Sequence, residues 1–467
     1  MRRPLPLSTG TRGRRNKAGM EKRIWEIDLL RGLAILGMVF SGLQPHGGAL
    51  PAWMYHAQVP PPDHIFNPSL PGLTWVDLVF PFFLFAMGAA VPVVLPGSLA
   101  RHGLRGTLRQ MVVRFGLLLL LAVLSFNFAP GRNAAAGGAA DWAGIGVFLA
   151  LFLLIARIPG LRPSQARYLK WAGVFGLCAL IYLKHVSWGG FDPSNNDPIL
   201  RVLANVYVVG TLLWLVSQHN KMLRIALLFL VTCAYLGDLG EGFLTPIWRW
   251  HDPWNLVSLY LLKYLMLFLP GTIAGEWLLR GDSIRNLPVF GALVMVFILT
   301  AVVLGGLFAR ETLLVLGFAL LALTTFSSLR LVEGDMLRAA PWFYGGMMML
   351  IGGLLMEPFQ GGVKKDPSTL SYFFITGGLA FAWIQSFRHW EHANWSRWVA
   401  PVQQLGQQAL MAYFLNGFFI VPLWNLTGLS GLFAHATPWL LLKAILITGL
   451  VVVLARLLTS RSISWKV

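Results

Sequence analysis

Leu287–Phe308 reads LPVFGALVMVFILTAVVLGGLF, an apolar run without one ionisable side chain. Wound as an α-helix rising 1.5 Å per residue, it spans about 30 Å, the thickness of a bilayer's hydrocarbon core. Shorter apolar runs, Phe115–Ser125, Ile225–Leu236 and Leu440–Leu458, mark further spans to either side. The whole chain has this character: of 467 residues 56% are hydrophobic and 12% charged, and the mean hydropathy is +0.64. An ordinary soluble domain is about 25% charged, so this chain has too few polar side chains to cover its own apolar surface. Backbone groups in lipid must pair within their own segment, which makes the spans helices. The expected fold is all-α, a polytopic integral membrane helix bundle with about 11–14 transmembrane helices. A β-barrel would show short alternating segments instead.

The net charge of +18 invites a nucleic-acid reading, but the charges sit where membrane topology puts them, and no nucleic acid is expected as a partner. Most Lys and Arg fall in alternate connections, which orients the chain with both termini cytoplasmic in a plasma, or bacterial inner, membrane. Residues 1–23 form a basic cytoplasmic arm with Arg2, Arg3, Arg12, Arg14, Arg15, Lys17, Lys22 and Arg23, and 24–467 form a single transmembrane domain. Cys178 and Cys233 fall in apolar spans without metal-ligand spacing and read as packing residues; no metal site is expected. Nucleotide-binding and zinc signatures are also missing from credible positions.

Functional signals concentrate in the connections and at span ends. The 43–72 segment, an outer loop in this topology, lacks Lys and Arg but carries His46, His56, His64, Asp63, Asn67 and the run Pro60-Pro61-Pro62. Loops of this length inside a compact domain are usually functional or disordered. Two further outer loops carry Asp192 and a cluster of Trp248, Trp250 and Trp254, side chains suited either to sugar binding or to the interfacial aromatic belt. Within the first span Asp28 and Arg31 are three apart and share a helix face, where they can pair. In the second, Asp77 lies about one turn inside an otherwise apolar helix, and Pro81 frees the carbonyl of that same residue. A carboxylate there needs a partner. His56 or His64 folding back onto it would be an acid-oriented imidazole able to take a proton from an attacking amine or hydroxyl, while a cap alone is the competing explanation.

Asp28-Leu29-Leu30-Arg31-Gly32, Trp53-Met54-Tyr55-His56-Ala57, and Gly72-Leu73-Thr74-Trp75-Val76-Asp77-Leu78-Val79-Phe80-Pro81 together resemble the heparan-α-glucosaminide N-acetyltransferase family and its bacterial relatives. Leu405-Gly406-Gln407-Gln408-Ala409-Leu410-Met411-Ala412-Tyr413 is similar to a late helix of the same superfamily of transmembrane acyltransferases. The resemblance implies acetyl transfer from cytosolic acetyl-CoA to an amine or hydroxyl of a sugar on the far side of the membrane. It places the family's catalytic histidine on His56 and its membrane aspartate on Asp77. The chain departs from the pattern by inserting Pro60 to Pro68, which brings in His64 as a second candidate, and by carrying Gly42 where the family has asparagine, with Gln44 the nearest substitute donor.

That chemistry asks for three kinds of group. The donor's phosphates need cations, and Arg101, Arg105 and Arg109 repeat every four residues, facing one way if helical. A nucleophile must lose its proton, for which His56 and His64 are the candidates. An oxyanion needs donors, supplied by Gln44, Gln403, Gln407 or Asn416, or else these amides hold helices together. The histidine acts either as general base in a ternary complex or as an acetylated relay. Expected partners are membrane lipid, acetyl-CoA and a sugar or amino-sugar acceptor, with Asn67, Asp192 and Trp250 as candidate substrate contacts in the outer loops, Asp28 and Arg31 as candidate contacts for a cytosolic substrate at the inner surface, and a homodimer as an assembly to be tested. The rival is a secondary transporter for a small amino sugar, for which Lys263, Glu276 and Arg114 would be the scarce intramembrane charges.

Overall fold

The computed structural model describes residues 24–47, 49–187, 190–280, 289–330, 336–390, 396–433 and 436–465; the basic arm expected over 1–23 lies outside them. In chain order the helices are α1 (Trp25–Ser41), α2 (Trp75–Phe128), α3 (Gly138–Ile155), α4 (Pro163–Ser187), α5 (Pro198–Ser217) and α6 (Lys221–Leu239). The short α7 (Thr245–Trp248) precedes α8 (Leu265–Arg280), α9 (Val289–Phe308), α10 (Thr312–Arg330), α11 (Met336–Met356) and α12 (Leu370–Trp390). The chain ends with α13 (Ser396–Gln407), α14 (Ala409–Leu415), α15 (Val421–Leu426), α16 (Leu429–Leu432) and α17 (Thr437–Ser460). Among the described residues the only sheet is a two-residue antiparallel pairing of Ala156–Arg157 (β1) with Ser464–Trp465 (β2). The fold is thus the all-α polytopic bundle that the apolar runs predict.

By length and hydropathy, eight described helical segments can cross a membrane, and Met295–Phe308, Thr312–Thr324 and Phe343–Met356 are shorter apolar helices. The longest is folded in two. Gly103 takes φ 65° and ψ −179°, a conformation that only glycine adopts freely. Ser98 Oγ consequently meets Thr107 Oγ1 at 3.1 Å, although nine residues of straight helix would separate them by about 13 Å. The 401–425 stretch is broken as well. Helix α13 stops at Gln407, and α14 continues into a π-helical turn at Asn416–Ile420.

In the crossing windows of α2 and α12, 78% and 83% of residues are buried, against 17% in α4 and in α6, so the first pair is central and the second faces lipid. Cys178 and Cys233 lie on those outer helices and are exposed, which corrects their reading as packing residues: the bundle turns these faces toward lipid, where a thiol is tolerated. Helix contacts are made close by small residues, as in other membrane bundles. A Cβ on Gly32 would strike the Val402 carbonyl, one on Gly406 the Asp28 carbonyl, and Gly271 and Gly275 press in the same way on α2. The fully buried Arg224 donates to Glu276 at 2.6 Å, and Lys221 and Trp214 reach the same carboxylate at 3.3 and 3.2 Å, tying α5, α6 and α8.

One end of the bundle gathers the long connections. Gln58 bonds the backbone of Asp366, Gly72 N–H donates to Val363 O, and Asn196 and Arg201 bond the carbonyls of Trp254 and Asn255. This is the loop end; the opposite, strand end carries β1 and β2. Replacing Gly406 by Leu should lower the melting temperature in detergent, overpacking costing about 1–3 kcal/mol, while Gly449→Ala on open α17 should leave it unchanged or raised.

Candidate active site

At the loop end, Thr74 is the N-cap of α2 and Asp77 its third residue. This spacing lets the Asp77 carboxylate reach back to the orphan donors of the helix start. Its Oδ2 accepts the Thr74 N–H at 3.0 Å and the Ala57 N–H at 3.2 Å, and lies 3.1 Å from the Thr74 hydroxyl, whose one proton is contested by the Tyr55 carbonyl at 2.8 Å. Pro81 removes the helical donor to the Asp77 carbonyl, and the buried Tyr372 hydroxyl of α12 supplies one at 3.0 Å. Asp77 is therefore held from α2, from the 42–74 loop and from α12, and its side chain is fully buried.

Its other oxygen, Oδ1, has no hydrogen bond of its own and faces two cations or potential cations: His56 Nδ1 at 3.3 Å and Lys365 Nζ at 4.0 Å. Gln58 N–H also points at His56 Nδ1, at 3.0 Å, and one nitrogen cannot serve both contacts in one protonation state. A buried carboxylate oxygen without a donor costs more than a partly buried peptide N–H without an acceptor. In this geometry Nδ1 accepts the Gln58 N–H; the Nδ1–H tautomer turned to Asp77 would leave the Nε2 lone pair outward, 3.9 Å from Asp366 Oδ2. Desolvation lowers the His56 pKa from its ordinary value, with Lys365 pushing the same way and Asp77 and Asp366 opposing. A neutral, oriented imidazole of this kind can act as a general base or as a nucleophile near neutral pH. Asp77 is a cap and a histidine partner at once.

The other candidates are dispersed. His64 stacks its ring 4.5 Å from Tyr55 and 4.7 Å from His46, and neither of its nitrogens has a hydrogen-bond partner. Gln44 is buried with its Nε2 unpartnered. Asn67 and Asp192 shape their own turns, accepting from Ser69 N–H and from Ser194, and the Ser194 hydroxyl holds the Asp192 carboxyl below its usual range. Trp250 is exposed, on the 240–258 connection. None of these hydrogen-bonds or ion-pairs with His56, so the structure does not gather them into one site.

Toward the strand end lies a cavity of about 100 Å³ lined by Arg31, Arg114, Gln407, Gln408 and Trp465, among others. Arg31 pairs with Asp28 at 3.7 Å, as their spacing predicts. Arg114 lies 4.5 Å over the Tyr207 ring with its Nε unpartnered, and the buried Gln408 leaves Oε1 free of any bond. A smaller apolar cavity shares Phe83, Leu203 and Leu410 with it and extends past Met38 and Ile199 to Tyr413, whose hydroxyl donates to Asp197. By contrast, Arg101, Arg105 and Arg109 are exposed, and the break at Gly103 separates the first from the other two, so their expected common face does not form. Asn416 opens the π-helical turn with its Oδ1 unpartnered. Of the rival reading's charges, Glu276 is enclosed by its three donors, Lys263 donates to Pro367 O at 2.6 Å, and Arg114 lines the cavity.

Sequence reasoning missed Gln58, Lys365, Asp366 and Tyr372. The available signal was Lys364-Lys365-Asp366-Pro367-Ser368-Thr369, a charged, turn-forming stretch immediately before an apolar span.

Fold and site together define a polytopic helical membrane protein whose loop end carries a buried carboxylate–imidazole pair. The chain belongs to the family described as Domain of unknown function (DUF5009), which it matches over residues 23–278, more than half its length. That region includes His56, Asp77, Arg31 and Arg114 but stops short of Asp366, Tyr372 and Gln407. No curated protein matches the chain.

The His56 ring should titrate below 6.5, which the pH dependence of its modification by an imidazole-directed acylating reagent would measure. Lys365→Ala should move that titration up and Asp366→Asn should move it down, because the first removes a repulsive cation and the second an attractive anion.

Proposed function

We propose that this chain is a transmembrane acetyltransferase, moving an acetyl group from cytosolic acetyl-CoA to an amine or hydroxyl of a sugar on the opposite side of a bacterial inner or plasma membrane. The observation that carries the reading is His56 Nδ1 at 3.3 Å from Asp77 Oδ1, because a base oriented by a buried carboxylate, with Nε2 turned outward, is what deprotonating an acceptor requires. The loop end is the extracytoplasmic face and the strand end, with both termini, the cytoplasmic one, in keeping with the distribution of Lys and Arg along the chain.

The donor's phosphates lie at the cavity of Arg31 and Arg114, where two guanidinium groups and the Gln407 and Gln408 amides offer donors to anionic oxygens. The adjoining apolar cavity lies between α1, α2, α5 and α14, and Phe83, which lines both cavities, is six residues or about 9 Å along α2 from Asp77. At the far end the acceptor's nitrogen or oxygen attacks the thioester carbonyl while His56 Nε2 takes its proton, and the sulfur leaves with the electron pair of the broken C–S bond. In the relay form His56 Nε2 attacks first and the acceptor then displaces the acetyl group from it. Asp77 holds the ring and offsets the imidazolium charge in both forms.

The test uses the full chain in detergent with labelled acetyl-CoA and glucosamine. Label should move to the amino sugar, whereas a carrier would leave it on the coenzyme. His56→Ala should cut transfer by about 10²–10⁴-fold with expression preserved, and His64→Ala should retain most of it. Arg114→Ala should raise the acetyl-CoA KM by about ten-fold or more. As pH falls through the His56 pKa, below 6.5, kcat/KM should decline because the base becomes protonated. Undiminished transfer by His56→Ala sinks the assignment.

A further inference from the structure

Across the outward side of His56 stands a segment that the mechanism above leaves unused, Lys365 to Ser368. Side chains from three separate regions hold it. The Gln58 amide donates to Asp366 O at 2.6 Å and accepts from Asp366 N–H at 2.9 Å. Lys263, only 2% exposed, donates to Pro367 O at 2.6 Å, and the Tyr235 and Tyr264 hydroxyls meet Ser368 at 2.9 Å each. A buried lysine and several side-chain hydrogen bonds spent on four residues fix the Asp366 backbone closely, while its carboxylate is left 48% exposed. That oxygen lies 3.9 Å from His56 Nε2, beyond the roughly 2.7–3.2 Å of a hydrogen bond, so the two groups do not satisfy each other.

We infer that Asp366 is a specificity-determining residue of this site, accepting a hydrogen bond from the acceptor substituent next to the one that reacts at His56 Nε2. The inference rests on the acetyltransferase reading. A pair of hydrogen-bond donors on adjacent carbons matches the spacing: one donor gives its proton to Nε2 and its neighbour bonds the carboxylate. The favoured acceptor is therefore a vicinal amino alcohol or diol rather than an isolated amine. Lys263 and Gln58 act on the reaction only through Asp366 and are positioning residues.

The experiment compares 2-aminocyclohexanol with cyclohexylamine as acceptors for the purified full chain and for Asp366→Ala, with acetyl-CoA as donor. Wild type should prefer the amino alcohol, and Asp366→Ala should raise its KM by about ten-fold or more while leaving the KM for acetyl-CoA unchanged and lowering kcat/KM for cyclohexylamine only by what the weaker basicity of His56 brings, far less than for the amino alcohol. Should Asp366→Ala not fold, Asp366→Leu keeps the bulk of the side chain without an acceptor, and cyclohexylamine turnover reports that the site is intact. Loss of both acceptors in equal proportion, or of neither, overturns the inference and leaves the acetyltransferase reading standing. A wild-type protein that acetylates glucosamine but neither compound overturns this inference alone, and one that acetylates none of the three overturns the acetyltransferase reading with it.

Discussion

A carboxylate buried at the end of an apolar helix must be surrounded by donors, and much of the loop end is arranged to provide them for Asp77. Leaving such a group ionised without partners would cost several kcal/mol. One backbone donor comes from Thr74 and one from Ala57, the Thr74 hydroxyl lies alongside, and the last oxygen is left for an imidazole and a lysine. Because Ala57 follows His56 directly, the bond that satisfies Asp77 also sets where the histidine stands. Pro81 adds a second demand, an unbonded carbonyl, which Tyr372 meets from α12. The proton-handling group is thus fixed by the need to satisfy its neighbour.

The same economy governs the bundle interior. Lipid offers helices no hydrophobic reason to associate, so contact depends on close backbone approach and on polar ties. Gly32 and Gly406 let α1 and α13 touch carbonyl to α-carbon, which sets Arg31 and Gln407 on the wall of one cavity. A motif that looks functional in sequence, Leu405 to Tyr413, therefore divides its labour: Gly406 packs, Gln407 and Gln408 line the cavity, and Tyr413 bonds the cap of α5.

How much of this was legible beforehand follows from range. The helical class, the Asp28–Arg31 pair, the freed carbonyl at Asp77 and the pairing of a loop histidine with that carboxylate all depend on composition or on a few residues of spacing, and they were readable. The choice between His56 and His64 was not, because it turns on Ala57 N–H reaching Asp77 and on His64 stacking against Tyr55. The arginines failed for a local reason: a four-residue repeat assumes a continuous helix, and Gly103 interrupts it. Asp366 and Tyr372 approach His56 and Asp77 from some three hundred positions away, a distance over which periodicity carries no information.

The Glu276 carboxylate, with its three donors from α5 and α6, has a consequence for how anything enters this molecule. Sliding α8 against those helices would strip several charge-assisted bonds at once, so the three behave as a stiff wall. Compliance is concentrated across the cavity, where Gln408 interrupts the helical ladder and the Asn416–Ile420 turn winds more loosely than its surroundings. Breathing of that one jointed helix, hinged beside an immobile block, is the cheapest deformation that widens the space around Arg31 and Arg114.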